Sequence, residues 1–113
     1  MSQPPDPMDR AEVARVFDAA PFVRSLGIEL IDCGPGWCET RLVVAERHFQ
    51  QHGYVHAGVQ ATIADHTAGA AASTSIAAGD QVLSVEFKLN LLRPARGAAL
   101  HSITFLAEAG EST

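Results

Sequence analysis

Hydrophobic and polar residues alternate with period two in four stretches of the chain, 27–32, 37–45, 82–92 and 100–107. Successive side chains of a β-strand point to opposite faces, so a strand with one wet face reads this way. Gly34-Pro35-Gly36 separates the first two stretches and predicts a tight turn, hence a β-hairpin. In the second stretch Glu39 and Arg41 fall on one face, with Cys38, Thr40 and Leu42 on the other. In the third, Ser84, Glu86, Lys88 and Asn90 share a face, and Pro94 and Gly97 turn the chain into the fourth.

Between the second and third stretches the alternation stops. Residues 57–78 contain no proline and are mostly Ala, Ser, Thr and Gly, with Val59, Ile63 and Ile76 the large apolar positions. Alanine is the best helix former, so a long helix is expected, ended by Ala78-Gly79-Asp80. Apart from Asp65 the segment has no Asp, Glu, Lys or Arg. A surface helix would carry a charged face, so this one is expected to be covered on most sides by the strands around it. A shorter helix is expected near the start. Asp9-Arg-Ala-Glu12 is a capping box, and Val13, Val16 and Phe17 follow at helical spacing, with Pro21 as the stop and 22–26 as a connector. Residues 1–8 are proline-rich and polar and are expected to be a disordered leader.

The totals narrow the function classes. With 113 residues and 47% hydrophobic content, the expectation is a single domain over 9–113. Net charge is −5 and no basic arm or stripe is present, which argues against nucleic acid as a partner. No signal peptide or membrane span is visible, so the expectation is a cytoplasmic protein with no membrane partner. Cys33 and Cys38 flank the hairpin turn. Their spacing suits zinc poorly and a cytosolic setting disfavours a disulfide, so both are read as small apolar residues.

The candidate chemistry centres on Asp65. A buried carboxylate costs several kcal/mol unless it is compensated. It either satisfies a loop through a hydrogen bond or is kept at a cleft for nucleophilic or general-base work. The loop before the helix is rich in histidine: His48, His52 and His56 fall four apart, which on a helix would line one face and hold a metal, with Asp65 or His66 joining. Gly53 and Val55 make that segment a poor helix, so the metal-assisted hydrolase stays an alternative and no metal site is expected.

Two blocks carry a family resemblance. Gln50-x-x-Gly53-x-x-His56-Ala57-Gly58, followed by Asp65 and Gly69, resembles the signature of PaaI-type acyl-CoA thioesterases of the hotdog superfamily. The segment from Ser84 to Gly97, with Arg93-Pro94-Ala95-Arg96-Gly97, resembles the strand that follows the central helix in that family. The resemblance covers about residues 20–109 and departs at Ala57, where the family has the first glycine of its His-Gly-Gly, and mildly at Gln50, often Asn. It implies an α+β hotdog fold, an antiparallel sheet wrapped around the long central helix and preceded by a short helix. It also implies two further strands after Gly110, so the chain is expected to lack them.

The resemblance further implies hydrolysis of a medium-chain or aryl acyl-CoA to free acid and CoA, with no separate cofactor. Asp65 would act as nucleophile or general base, and the Ala57 N–H at the helix start would hold the oxyanion. Gln50 would orient the carbonyl or the water, Ser84 would sit near the nucleophile, and His56 would shape the loop or touch substrate. Gly58 and Gly69 would lie against substrate. The segment 81–107 holds Lys88, Arg93 and Arg96 against Glu86 alone, which suits the phosphates of coenzyme A and equally fits ordinary strand-end charge that keeps a chain soluble.

Helix geometry adds an argument of its own. Ala57 and Asp65 are separated by about 12 Å along one helix, at 1.5 Å per residue. One thioester carbon cannot touch both, whereas two antiparallel helices about a two-fold axis bring Asp65 of one chain beside Ala57 of the other. The expected unit is therefore a homodimer with shared sites, or a dimer of dimers. Two other readings remain, a hotdog enoyl-CoA hydratase or dehydratase using His56 with Asp65, and a non-catalytic acyl-CoA-binding module. Turnover of enoyl-CoA would single out the first, and tight binding without thiol release the second.

Overall fold

The computed structural model describes residues 8–107. The hairpin forms as its pattern predicts. β1 (Ile28–Gly34) and β2 (Trp37–Val43) pair antiparallel, and Cys38, Thr40 and Leu42 form the fully buried face of β2. β3 (Ala99–Phe105) pairs antiparallel with the other edge of β2, giving the order β1-β2-β3. The sheet packs on α3 (Ala57–Ser73), whose Val59, Ile63, Thr67, Ala70 and Ala71 make the buried stripe. This is the expected α+β layout of a long helix against an antiparallel sheet.

The structure corrects several expected elements. α1 (Arg10–Asp18) is capped by the Asp9 side chain, which accepts from the Glu12 N–H at 2.8 Å. It is followed by a second helix, α2 (Pro21–Leu26), in the stretch expected to be a connector. Proline stands at its first turn, where a missing N–H costs nothing, so Pro21 starts a helix as well as ending one. Met8, expected in the leader, is buried in the core and its N–H bonds the Ile76 carbonyl at 2.8 Å. The rest of that leader, 1–7, lies outside the described residues.

α3 ends at Ser73 instead of 78. The hydroxyls of Ser73 and Thr74 bond the carbonyls of Gly69 and Ala71, and Thr74 also accepts from the Gly36 N–H at 2.8 Å. Side chains that hydrogen-bond backbone compete with helix continuation, and here they fasten its end to the hairpin turn. The expected strand at 82–92 is extended but carries no ladder. A strand exists only through a neighbour's hydrogen bonds, and none of the described residues pairs with this segment. Its apolar face lies open: Leu83, Val85, Phe87, Leu89 and Leu91 are exposed, Val85 to 97%.

Candidate functional site

Two interactions set the direction in which α3 presents its side chains. Thr67 lies buried against β2, its hydroxyl 2.7 Å from that of Thr40. Asp65, two residues earlier, points about 200° away around the helix. It is half-buried, and its carboxylate accepts a short hydrogen bond from the Ser84 hydroxyl at the start of the extended segment. The bland reading of Asp65, a helix-to-loop hydrogen bond, and the chemical one thus involve the same contact. Partial exposure reduces the desolvation cost expected for a fully buried carboxylate.

The start of α3 is shaped by His56. Its backbone carbonyl accepts from the N–H groups of Val59 and Gln60, and its ring Nδ1 accepts from the Gly58 N–H at 2.7 Å. A Cβ at Gly58 would meet that Nδ1 at 3.0 Å, so glycine there makes room for the cap. The Gly58 N–H is therefore engaged within the chain. The Ala57 N–H has no acceptor among the described residues. Of the helix's first donors, it is the one available to an outside oxygen.

Gln50 is built into the loop. Its Oε1 accepts from the N–H groups of His52 and Tyr54, which leaves its amide NH2 as the donor it can offer a ligand. His48 is fully buried: Nδ1 accepts from the Ala45 N–H at 2.9 Å and Nε2 bonds the Leu26 carbonyl at 2.7 Å. Both nitrogens are used to anchor the loop, a role the sequence did not reveal. No group of three or more His, Cys, Asp or Glu capable of holding a metal is found among the described residues.

Six of the ten candidate residues line two separate cavities, and the exposed His56 and Gly58 line neither. Asp65, Gly69 and Ser84 line one of about 580 Å³ between α1, α3 and residues 79–84. Gln50, Ala57 and Arg93 line another of about 380 Å³ between the loop, the helix start and residues 91–95. Lys88 and Arg96 are exposed and line neither. Phe17, which reads in the sequence as a core position, and His66, which reads there only as an alternative metal ligand, share the larger cavity with Asp65. Their rings lie 4.3 Å apart, and His66 Nε2 is 3.2 Å from the Phe17 carbonyl. The sequence shows His66 beside Asp65, but a contact across 49 positions has no local signal.

The sequence and the fold have counterparts among known proteins. The family model of the thioesterase superfamily matches residues 52–113. A 1,4-dihydroxy-2-naphthoyl-CoA hydrolase of Listeria monocytogenes is 29% identical over 89 residues, 79% of this chain and 72% of that protein. A thioesterase family protein of Silicibacter pomeroyi is 33% identical, with a TM-score of 0.81 over 88% of this chain and 73% of that one. The PaaI protein from the phenylacetic acid degradation operon of Escherichia coli superposes with a TM-score of 0.77 over 89% of this chain and 72% of that one. At 19% identity it is a likeness of fold alone. In the structure itself no helix of the described residues is long and apolar enough to cross a membrane.

Proposed function

This chain belongs to the thioesterase superfamily and is a thioester hydrolase of hotdog fold, and we propose that it hydrolyses an acyl-CoA at a site shared between two copies of the chain. Asp65 attacks the thioester carbonyl or takes the proton of the water that does. The Ala57 N–H of the second copy receives the oxyanion, where an unpaired donor at a helix start favours negative charge. The NH2 of Gln50 orients the carbonyl, Ser84 fixes the carboxylate rotamer, and His56 holds the helix start in shape. Arg93 lies in the cavity of Gln50 and Ala57 and suits a CoA phosphate.

The observation that carries the shared site is the division of these groups between two cavities of one chain, Asp65 and Ser84 in one, Gln50 and Ala57 in the other. The open apolar face of 83–91 supports the same reading, because a contiguous exposed patch of this kind marks an association surface. The acyl group of the proposal is aryl or medium-chain, and the Listeria relative's name speaks for the aryl class.

The test is thiol release from a panel of aryl and aliphatic acyl-CoAs, with wild type and Asp65→Asn side by side. Release that depends on Asp65 is expected. A second arm combines Asp65→Asn chains with Gln50→Ala chains. Mixed dimers contain one intact site, so activity reappears on mixing. Failure to regain activity from two folded, inactive variants would rule out the shared site.

A further inference from the structure

The cavity beside Asp65 has walls of unequal character. Met8, Val13, Val16 and Phe17 supply an apolar side, and Gly69 and Ala70 of α3 face them with almost no side chain. Its charged groups are acidic on balance. Asp65 and Asp80 are joined there by Glu12 and Arg15, and those two are already paired at 2.6 Å. The phosphates of coenzyme A are repelled by such a cavity, so the acyl end of a thioester is the end that enters it. Its volume, about 580 Å³, lies within the range of small-ligand pockets, roughly 300–1,000 Å³.

His66 gives this cavity a chemical preference. A carbonyl oxygen only accepts, so the contact with the Phe17 carbonyl puts the hydrogen of the ring on Nε2. Nδ1 is then the ring nitrogen left to accept, and it has no protein partner among the described residues. The ring is held against Phe17, with the two planes tilted by 54°. The wall next to Asp65 thus combines an aromatic pair with one unpaired acceptor. An acceptor left unpaired on ligand binding keeps its full desolvation cost, which disfavours a purely apolar acyl group.

We infer that the Phe17–His66 pair determines acyl selectivity. The cavity takes an aromatic acyl group, and His66 Nδ1 accepts a hydrogen bond from a hydroxyl on that ring. The inference rests on the thioester-hydrolase reading for its substrate, and it assigns α1 a part in recognition. Sequence gave no hint of this, since Phe17 reads there as an ordinary core position of a short helix.

The experiment is calorimetric titration with non-hydrolysable thioether analogues of CoA: phenacyl, its 2-, 3- and 4-hydroxy forms, and hexyl. Wild type is expected to bind at least one hydroxyphenacyl analogue about 3- to 10-fold more tightly than phenacyl, the worth of one neutral hydrogen bond. His66→Leu should abolish that difference, His66→Gln should retain part of it, and Phe17→Leu should shrink the preference for aryl over hexyl. Equal binding of phenacyl and all three hydroxy forms by wild type would overturn the inference without any variant. So would hexyl binding as tightly as the best aryl analogue, or a folded His66→Leu that keeps the preference. Thiol release from the matching hydroxybenzoyl-CoA is measured in parallel. Preference without release would sink the hydrolase reading and leave the selectivity element standing, whereas release without preference would do the reverse.

Discussion

The Ser84 hydroxyl donates to the carboxylate of Asp65, joining the middle of the long helix to the extended segment that follows it. One carboxylate oxygen is thereby fixed, and the other stays available for chemistry. Only an ionised carboxylate can act as nucleophile or base, and the bond holds its rotamer. Asp65→Asn is expected to lower thiol release by roughly 100- to 10,000-fold, the usual worth of such a group, with helical circular dichroism unchanged. Ser84→Ala, which frees the carboxylate rotamer, should cost about tenfold in kcat. Near-normal rates for Asp65→Asn would mean the carboxylate serves the fold alone.

Ala57 bears a methyl group beside the one donor of the helix start that has no acceptor among the described residues. If that N–H receives the oxyanion, removing the methyl opens the approach and keeps the donor. Ala57→Gly should then give kcat/KM equal to or above wild type, against a helix cost of at most about 1 kcal/mol at this end position. A large drop in kcat/KM with stability intact would show that the methyl itself contacts the acyl group.

Much of this architecture was legible in the chain, and the exceptions share a cause. The hairpin, the long small-residue helix and the buried face of Cys38, Thr40 and Leu42 follow from local period and turn residues. The helix ends at Ser73, short of the expected 78, because its stop is Thr74 bonding a turn 38 positions away. The strand at 82–92 has the right alternation, but a pattern supplies side chains to a face and cannot supply a ladder partner. His48 looked like a metal ligand by spacing. Its two bonds, to Ala45 and Leu26, make it the pin of the loop that carries Gln50 and His56. For the site, the residue types were readable and their separation into two cavities was not. That division depends on where residues 79–95 pass over the helix.

The Thr40–Thr67 pair offers a stability prediction with a sign. The Thr67 hydroxyl gives its hydrogen to the Ile63 carbonyl at 2.5 Å, so Thr40 must be the donor across the 2.7 Å contact. Thr67→Val strands the buried Thr40 hydrogen and should cost about 1–3 kcal/mol. Thr40→Val strands only a second lone pair and should cost less. In a Thr40→Val background, Thr67→Val should become cheaper by about 1 kcal/mol. Urea midpoints of the four proteins measure this, and strict additivity would show that the two hydroxyls do not interact.

Cys38 makes the alkaline limb of stability predictable. The residue is fully buried, opposite Cys33 in the β1–β2 ladder. Burial, aided by the neighbouring Cys33, Asp32 and Glu39 charges, pushes its thiol from 9.0 up to about 12. The unfolded chain releases this proton near 9, so between there and about 12 the folded state holds more protons than the unfolded. Stability with respect to unfolding must then fall as pH rises across that window, and below it this group contributes fully. Cys33, raised by the same desolvation, adds to the slope. Urea midpoints should decline from pH 9 upward in wild type and decline less steeply in Cys38→Ala. In the folded protein at pH 8.5, an aromatic disulfide reagent should leave Cys38 unmodified, and denaturation should expose it at once. Prompt reaction of Cys38 in the native state would mean that the sheet opens on the timescale of the assay.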